Sequence, residues 1–448
     1  MKNNLRENWT GRMGFIFATA GFAIGLGNIW RFSYVAGNNG GGAFLIIYLI
    51  VILLFGIPLF YAEAALGRKT QSGIIIGLRK LTRKGSPWVL IGWLGTLAAV
   101  LISSYYFMIM GWIIDYFFKI LSGTFKGAST SQIANTYEEM VSNPWEVILF
   151  SLLSAVLIAV IVGRGVKNGI EKFSKFVMPL LIILLVVLAA FSISLPGAME
   201  GIMWYLKPDF SVVTASTVLE AIGQAFFSVG IGLAATFTYG SYLKRENSNL
   251  VTDGIWVISL DTFVAFISGL VIFPALFAFD IAPDSGAGLL FLTIPNLFDL
   301  LPGGMFFGLL FFFLVIIAGL STGVGLVEGV VVNIAEVFNL KRNTSIIIST
   351  ILLMILAIPS ILSQGPWQEV MLFGMNLFDF IDYLSGNILL PLGGLLISLY
   401  VTFAWKFKNY KEELNIGTTK LKITRTLQPV ITVLIPCLIL YVLVSSVL

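Results

Sequence analysis

Long apolar stretches constrain this chain more than any other feature of its sequence. They run to about 20 residues or more, the length that an α-helix needs to cross about 30 Å of hydrocarbon. Only 11% of the 448 residues are charged and 58% are hydrophobic. Soluble domains usually carry about 25% charged residues. The sequence therefore predicts an all-α protein that crosses a membrane many times, and it excludes a soluble domain.

Eleven membrane-spanning helices are predicted from these stretches. Their approximate ranges are 12–36, 41–67, 89–122, 145–163, 173–194, 214–242, 250–279, 303–338, 344–362, 380–406 and 425–447. Basic residues set the orientation, because they concentrate in cytoplasmic segments. With the N-terminus inside, 23 of the 27 Lys and Arg residues fall in inner segments, and four (Arg31, Lys119, Lys126 and Lys207) fall outside. We therefore expect a cytoplasmic N-terminus and an external C-terminus.

Several kinds of chemistry are excluded by what the sequence lacks. There is no His, and the one Cys is Cys437, so imidazole catalysis, intrachain disulfides and thiolate metal sites are excluded. No G-x-x-x-x-G-K-[ST] phosphate loop occurs, so this chain does not hydrolyse ATP. The basic residues are scattered among apolar blocks, which argues against a nucleic-acid partner. We expect no enzyme activity, since Asp261 and Glu63 have no nucleophile or metal partner.

Two outer segments give different predictions. Residues 123–144 are polar and predict an exposed loop. Residues 283–302 are amphipathic and contain Pro283, Pro295 and Pro302. They predict short helices that fold back as a lid, with an ordinary surface loop as an equal alternative.

A Gly-x-Gly motif lies near the middle of both the first and the sixth predicted span. The motifs are Gly25-Leu26-Gly27 and Gly230-Ile231-Gly232. Glycine costs about 1 kcal/mol in a helix interior relative to alanine, so the pair indicates two helices unwound at the same depth. Unwound backbone is tolerated at that depth only around an enclosed or wet site.

The spacing of the two motifs also predicts a topology. Five spans is an odd number, so the second half enters the membrane in the opposite sense. This is the inverted-repeat arrangement of secondary transporters, which hold the substrate between two broken helices. The alternative is that the glycines only permit close helix packing.

Motifs in both halves of the chain resemble those of one known family. They are Asn8-Trp9, Gly21 to Arg31, Asn39 to Phe44, Gly56-Ile57-Pro58, Gly223 to Ser228, Tyr239 to Tyr242 and Ala318 to Thr322. Over essentially its whole length the chain resembles the neurotransmitter:sodium symporter family. It most resembles the eleven-span bacterial amino-acid transporters, including those for tyrosine or tryptophan. The resemblance implies sodium-coupled uptake of an amino acid on an inverted five-plus-five fold with helices 1 and 6 unwound and an extra eleventh helix.

The resemblance also implies a division of the chain and a location. The parts are a cytoplasmic N-terminus (1–11), a first repeat (12–194), an outer loop (195–213), a second repeat (214–406), a cytoplasmic loop (407–424) and helix 11 (425–448). We expect a multi-pass protein of the bacterial cell membrane. Its partners would be the amino acid and the lipid bilayer, with no obligate protein partner.

Two sodium sites are implied by the same resemblance. The first would use the Ala23 carbonyl with Asn28, Ser228, Asp261 and the substrate carboxylate. The second would use the Gly21, Ile24 and Ala318 carbonyls with Ser321 and Thr322. Such oxygen ligands suit a hard cation. The alternative for Ser321 and Thr322 is a hydrogen bond to a carbonyl one turn earlier in their own helix.

Asp261 departs from the family pattern. It lies deep in the seventh span, where a carboxylate is expensive and suggests function. Most family members have Asn there, and chloride-dependent members have a Ser one turn later, where this chain has Ala265. Asp261 could thus supply the negative charge that chloride supplies elsewhere, so we expect no chloride requirement. The alternative is a protonated structural Asp.

The substrate site is implied to lie at the broken helices. Amides around Gly25, Leu26 and Gly27, with the Tyr106 hydroxyl, would bind the carboxylate, while carbonyls of Ala23, Phe227 and Ser228 would accept from the ammonium. The alternative for Tyr106 is an aromatic-belt position.

A large apolar side chain (Tyr, Trp, Phe or Leu) is the expected ligand of the remaining pocket. Its implied lining is Ile102, Phe227, Gly230, Leu233, Gly325 and Leu326, beside Ser321 and Thr322. Gly230 and Gly325 would leave room for ligand atoms. The alternative is that neighbouring side chains fill this space.

Gates are predicted from opposite charges at both ends of the site. Arg31 and Asp382 would close the outside above Tyr106 and Phe227. Arg6 and Glu336 would close the inside, near Trp9 and Tyr242. The expected function is sodium-coupled import of hydrophobic, aromatic amino acids by alternating access. The alternatives are sodium-dependent transport of aliphatic amino acids, or an uncoupled channel or nutrient sensor on the same fold.

Overall fold

Packed helices make up almost all of the protein. A computed structural model describes residues 6–283, 289–300, 303–418 and 421–447. Two short antiparallel strands, β1 (Met371–Leu372) and β2 (Met375–Asn376), form a hairpin near the end of the chain.

Ten helices belong to the first half of the chain. They are α1 (Arg12–Ala23), α2 (Phe32–Asn38), α3 (Gly42–Val51), α4 (Ile57–Thr70), α5 (Ile74–Leu81), α6 (Leu90–Leu121), α7 (Thr130–Ser142), α8 (Pro144–Gly163), α9 (Lys172–Ile193) and α10 (Ala198–Leu206). Single π-helical segments extend several of them, at Gly27–Arg31, Ile52–Gly56 and Val166–Glu171, and 3-10 turns lie at Pro87–Val89 and Phe210–Val212.

The second half is also helical in its described residues. Its helices are α11 (Ala215–Val229), α12 (Ala235–Gly240), α13 (Leu250–Ala278), α14 (Thr293–Leu300), α15 (Gly304–Val337), α16 (Arg342–Leu362), α17 (Leu377–Asp382), α18 (Leu390–Leu399), α19 (Phe407–Leu414) and α20 (Ile435–Val447). Its π-helical segments are Tyr383–Leu389, Tyr400–Trp405 and Val430–Leu434, and its 3-10 turns are Arg245–Asn247 and Arg425–Leu427.

The predicted membrane spans correspond to helices of the structure. Within the described ranges, nine helical segments are long and apolar enough to cross a membrane. The pair Arg12–Ala23 and Gly27–Asn38, bent by 53°, makes a tenth. The remaining predicted span is interrupted, with α11 as a shorter apolar helix and α12 continuing it. The predicted all-α membrane fold is thus confirmed.

Both Gly-x-Gly motifs interrupt a helix. Helix α1 ends at Ala23, and Ile24 adopts an extended backbone (φ −79°, ψ 94°) before helical turns resume at Gly27. Helix α11 ends at Val229, and Gly230 and Gly232 have positive φ angles of 66° and 83°. Glycine adopts such angles without the steric cost that a Cβ brings. The two breaks interrupt the regular backbone hydrogen bonding of both helices, as the sequence predicts.

The outer segments differ in part from their predictions. Residues 130–142 form helix α7 rather than a loop, because Ser129 and Gln132 make a reciprocal capping box at its N-terminus. Helix α14 provides a short helix within residues 283–302, as predicted. Positions 284–288 and 301–302 of that segment lie outside the described residues.

Candidate functional site

Three polar side chains from three spans meet at the breaks. The Asn28 side-chain amide donates to the Asp261 carboxylate over 2.8 Å and to the Asp261 carbonyl over 2.9 Å. The Ser228 hydroxyl lies 2.8 and 3.0 Å from the two Asp261 carboxylate oxygens. All three residues are buried. We call this group the Asp261 cluster. It joins carboxylate, hydroxyl and amide oxygens, the donor types that suit a hard cation.

Two residues that the sequence analysis did not assign complete this region. The Tyr48 hydroxyl, buried in α3, donates to the Ser228 hydroxyl over 3.2 Å. Gln224 of α11 donates to the Gly27 carbonyl at the first break over 2.8 Å. Both residues could have been identified as polar groups inside an apolar span, since such groups usually have a buried hydrogen-bond partner.

A second polar group lies where α15 faces α1. The Thr322 hydroxyl donates to the Phe22 carbonyl over 2.9 Å and lies 3.5 Å from the Gly21 carbonyl. The Ser321 hydroxyl is buried and has no hydrogen-bond partner among the described residues. A Cβ added to Gly21 would lie 2.3 Å from the Ser321 hydroxyl oxygen, so the two helices touch here. We call Gly21, Phe22, Ser321 and Thr322 the Ser321 cluster.

The contacts of Ser321 and Thr322 exclude the alternative in which their hydroxyls bond within their own helix. Neither Ser321 nor Thr322 bonds to a carbonyl one turn earlier in α15, because Thr322 reaches across to α1 and Ser321 reaches no acceptor. A buried hydroxyl without a partner costs about 1–3 kcal/mol. An unsatisfied oxygen beside helix carbonyls is an arrangement that fits a small cation.

The backbone groups predicted as ligands lie along the same break. Ala23 is the last residue of α1, so its carbonyl has no further helical turn above it. Ile24 follows in extended conformation, and Ala318 is buried in α15 one turn before Thr322. A Cβ on Gly25 would lie 2.1 Å from the Thr322 hydroxyl oxygen, which shows how closely α15 approaches the break.

Tyr106 belongs to the centre of the molecule. It is buried in α6, and its hydroxyl donates to the Gly319 carbonyl of α15 over 2.9 Å. An aromatic-belt position at a lipid interface does not fit this burial. Phe227 lies across the first break, where a Cβ on Gly27 would be 2.8 Å from its ring.

The Phe22 ring occupies the space between Gly230 and Gly325, which differs from the expected open pocket. A Cβ on Gly230 would lie 2.5 Å from this ring, and a Cβ on Gly325 would lie 2.3 Å from it. The ring also packs edge-on against Tyr239, with centroids 6.2 Å apart. The alternative in which a neighbouring side chain fills the space therefore describes these two glycines. The sequence analysis missed Phe22 because the effect depends on which way one ring points.

The other predicted pocket residues are buried around this position. Ile102 lies in α6, Leu233 in the second break and Leu326 in α15, each at most 5% exposed. Leu26 is also buried at the first break. All of these side chains are apolar, so the chemistry they offer is burial of an apolar group.

At the end predicted to face the cytoplasm, polar contacts link the N-terminal segment and three other parts of the chain. Arg6 forms an ion pair with Glu336 and also donates to the Ser241 hydroxyl. The second Glu336 carboxylate oxygen accepts from the Gly73 amide over 2.8 Å. These contacts tie residues from four separate parts of the chain together.

Aromatic residues add further contacts at this end of the molecule. The Trp9 indole donates to the Tyr239 carbonyl over 2.9 Å, and the Trp9 amide donates to the Tyr242 carbonyl over 3.1 Å. The Tyr242 hydroxyl donates to Glu328, which also pairs with Arg342 at 2.7 Å. Glu328 therefore serves this inner network.

The outer pair is arranged differently. Arg31 and Asp382 line one cavity of about 250 Å³, but no ion pair joins them in the described part of the chain. Arg31 instead donates to the Gln224 side-chain oxygen over 2.6 Å and lies over the Phe227 ring, 5.2 Å from its centroid. The guanidinium thus contacts Gln224 and Phe227 in this conformation.

Glu63 supports the second break. It is buried in α4 and accepts a hydrogen bond from the Gly232 amide over 2.6 Å. This bond satisfies a backbone group that the interrupted helix cannot.

Known membrane transporters are similar to this chain over most of its length. The chain matches the sodium:neurotransmitter symporter family profile over residues 6–143 and 124–448. It is 36% identical over 420 residues to an uncharacterized sodium-dependent transporter of Haemophilus influenzae, covering 92% of each chain. It is 37% identical over 393 residues to the uncharacterized sodium-dependent transporter YhdH of Bacillus subtilis, covering 88% of this chain and 87% of that one.

A solved structure shares the whole fold. The crystal structure of MhsT in complex with L-phenylalanine is 39% identical to this chain, with a TM-score of 0.90, and the match covers 98% of this chain and 100% of that one. The chain therefore belongs to the sodium:neurotransmitter symporter family and is a multi-pass membrane transporter rather than an enzyme.

Proposed function

We propose that the protein is a sodium-coupled symporter that imports hydrophobic L-amino acids, preferentially aromatic ones, by alternating access. The observation that carries the proposal is the Asp261 cluster, a set of buried oxygen donors placed where two helices are broken. Both named relatives are called sodium-dependent transporters, and MhsT was solved with L-phenylalanine.

Two sodium ions are assigned to the two polar clusters. The first would be bound by Asn28, Ser228, Asp261, the Ala23 carbonyl and the substrate carboxylate. The second would be bound by Ser321 and Thr322 with the carbonyls of Gly21, Ile24 and Ala318. The unpartnered Ser321 hydroxyl supports the second assignment, because a cation would satisfy it.

The broken helices would orient the amino acid. Free amides at Gly25, Leu26 and Gly27 begin the outer part of the first broken helix, and their dipoles favour a carboxylate. The Tyr106 hydroxyl would add a donor by leaving the Gly319 carbonyl. Carbonyls of Ala23, Phe227 and Ser228 would accept from the ammonium group. A lone carboxylate or ammonium in this apolar setting is costly, so both ends of the substrate must be paired.

The substrate side chain would lie among Ile102, Phe227, Leu233 and Leu326. An aromatic ligand agrees with the apolar lining and with the L-phenylalanine bound to MhsT. A second candidate substrate class is the aliphatic amino acids. It is favoured by the Phe22 ring, which fills the space between Gly230 and Gly325.

Chloride independence rests on Asp261. Its carboxylate already lies within hydrogen-bond distance of both Asn28 and Ser228, so a fixed negative charge would stand beside the first sodium. A second anion at this position would add repulsion within a medium that screens charge weakly.

Transport would alternate between closure of the two ends. The inner end is held by Arg6, Glu336, Trp9 and Tyr242 in this conformation. Binding of substrate below Phe227 would draw Arg31 toward Asp382, and loss of the second sodium would loosen the inner network. Exposed ion pairs contribute only about 0–1 kcal/mol, which lets a gate open in each cycle. We also propose residues 12–194 and 214–406 as the inverted repeats, with the N-terminus in the cytoplasm.

Uptake into proteoliposomes tests the proposal. Radiolabelled L-phenylalanine, L-tyrosine, L-tryptophan and L-leucine are offered with an inward sodium gradient. We expect accumulation above equilibrium with sodium but not with choline, and the strongest competition from aromatic amino acids. Accumulation without sodium would contradict symport, and equilibration alone would indicate an uncoupled channel.

Anion replacement tests the chloride prediction in the same vesicles. Exchange of chloride for gluconate on both sides of the membrane should leave initial uptake rates unchanged within about twofold. Loss of uptake in gluconate would contradict the role assigned to Asp261, while leaving sodium coupling intact.

A further inference from the structure

The hairpin between α16 and α17 exposes apolar side chains at its tip. Val370, Met371, Leu372 and Phe373 are 48%, 58%, 40% and 85% exposed. We call these four residues the hairpin tip. The Phe373 ring lies beside the Phe380 ring, with centroids 5.7 Å apart. Contiguous exposed apolar groups of this kind mark a surface that contacts a protein or a membrane.

The backbone conformation of the turn makes the presence of an aromatic residue there more unusual. Phe373 and Gly374 both have positive φ angles, 52° and 81°. Hairpin turns with two such residues normally carry Asn-Gly or Asp-Gly. A bulky aromatic residue with positive φ is a steric outlier. The conformational preference of the turn therefore does not explain why an exposed aromatic ring is found there. An apolar environment around the ring would explain it.

The lipid-facing side of α16 leads to the hairpin. Ile347, Ile351 and Ile355 are 60%, 55% and 57% exposed and recur every four residues, so they form one stripe along a membrane-spanning helix. Trp367, 41% exposed, lies between the end of α16 and the tip. Trp is enriched where a protein crosses from hydrocarbon to water.

Charge is nearly absent from the same stretch. Glu369 is the one charged residue in the sequence from 363 to 376, and no Lys or Arg occurs there. Attraction to anionic headgroups therefore contributes nothing, and burial of apolar area is the available driving force.

We propose that the hairpin tip inserts into the interfacial region of the lipid bilayer, at the end of the molecule where α16 leaves the membrane. The partner is the headgroup and upper acyl region of zwitterionic lipid. The exposed stripe of α16, which already requires lipid, is continuous with the tip through Trp367. This anchor would hold the α16–α17 connection at a set depth while the neighbouring outer cavity changes shape.

Depth-dependent spin-label accessibility tests the proposal. The full chain carries Cys437→Ser, which removes its one cysteine. A nitroxide is then attached at Phe373→Cys in nanodiscs of phosphatidylcholine. Matched labels at Thr124→Cys, in an exposed turn of the same end, and at Ile355→Cys, on the lipid-facing stripe, give the water and bilayer references. Collision rates with oxygen and with a water-soluble nickel chelate are compared.

The expected result is an oxygen-to-nickel ratio at 373 several-fold above that at 124 and closer to that at 355. A ratio equal to that at 124 would place the tip in water and overturn the proposal. Low access to both reagents, with dipolar broadening between labels, would instead indicate contact with a second copy of the chain and also overturn it. If Phe373→Cys does not fold, Met371→Cys on the same tip is judged by the same criteria.

Discussion

The Asp261 cluster and the Ser321 cluster are both buried and rich in oxygen, but they differ in how their polar atoms are satisfied. Around Asp261 every side chain has a partner, with Asn28 and Ser228 bonded to one carboxylate. In the Ser321 cluster the hydroxyl of Ser321 has none among the described residues. The first cluster is thus a self-contained network, and the second has an oxygen that no described residue satisfies.

This difference assigns different roles to the two proposed sodium ions. An ion at the Asp261 cluster replaces hydrogen bonds that already exist, so its net gain depends on the charge of the carboxylate. An ion at the Ser321 cluster meets an oxygen whose burial costs about 1–3 kcal/mol without a partner. The second ion should therefore stabilise the contact between α1 and α15.

The largest effect is expected from Asp261→Ala. The change removes the acceptor shared by Asn28 and Ser228 and the charge proposed for sodium, leaving polar groups unsatisfied at about 1–3 kcal/mol each. Sodium-dependent binding of L-phenylalanine should weaken at least about 100-fold, or about 2.7 kcal/mol. The matched control is Ser268→Ala on the same helix, whose hydroxyl donates to the Val264 carbonyl one turn earlier. If Asp261→Ala bound L-phenylalanine with wild-type affinity, the comparison between the Asp261 and Ser321 clusters would lose its basis.

Ser321→Ala should separate the two clusters. Removal of an unpartnered hydroxyl leaves the sodium-free unfolding temperature unchanged or raises it, because no hydrogen bond is lost. Sodium affinity should fall about tenfold, and the stabilisation by sodium, which follows RT ln(1 + [Na⁺]/Kd), should shrink. Thermal unfolding across a sodium titration measures both quantities.

Ser349→Ala is the matched control for Ser321→Ala. Ser349 is also buried without a hydrogen-bond partner among the described residues, but it lies in α16. It should reproduce the sodium-free result and keep the full sodium response. Equal sodium responses in the two variants would show that the unsatisfied hydroxyl of Ser321 has no part in ion binding.

Phe22→Ala tests whether the Phe22 ring affects substrate selectivity independently of the Phe22 carbonyl. The carbonyl that accepts from Thr322 remains, so sodium affinity should stay within about threefold. The space beside Gly230 and Gly325 opens, and competition should shift about fivefold toward L-tryptophan over L-leucine, because a cavity left empty favours a larger ligand. Phe17→Ala is the control, because Phe17 lies on the same helix, is partly buried and does not border Gly230 or Gly325. Unchanged selectivity would exclude the ring from the pocket.

The smallest effect is expected from Thr322→Ser. The hydroxyl that reaches the Phe22 carbonyl is retained, so sodium affinity should change by less than about threefold. Thr322→Val keeps the shape and removes the hydroxyl, and it should approach the loss seen in Ser321→Ala. If Thr322→Ser and Thr322→Val gave similar sodium titrations, the Thr322 hydroxyl would have no role in sodium binding, and the shape of the side chain alone would explain its effect.

Much of this architecture could be predicted from the sequence. The spans follow from apolar length, and the breaks follow from Gly25, Gly27, Gly230 and Gly232, because a bilayer penalises unpaired backbone wherever it is not enclosed. Asp261 stood out for a related reason, since an acid deep in a span is costly unless it is used. Helix α7 was wrongly predicted as a loop, although Ser129 and Gln132, which form its capping box, were a signal available in the sequence.

Other features could not be predicted, and each depends on side-chain direction. Arg31 bonds to Gln224 rather than pairing with Asp382, although the sequence shows only that the charges are opposite. Tyr48 reaches Ser228 across 180 positions of sequence. No local pattern records such distances.

The sequence by itself determined the class of protein, its many apolar spans and the two positions at which a span is broken, because these follow from how hydrocarbon treats apolar and polar groups. Only the tertiary structure decided which oxygens meet. It joined Asn28, Ser228 and Asp261 into one satisfied network, left Ser321 without a partner and turned the Phe22 ring into the space between two glycines. Packing between helices decides these contacts, because dense packing allows a buried side chain few positions.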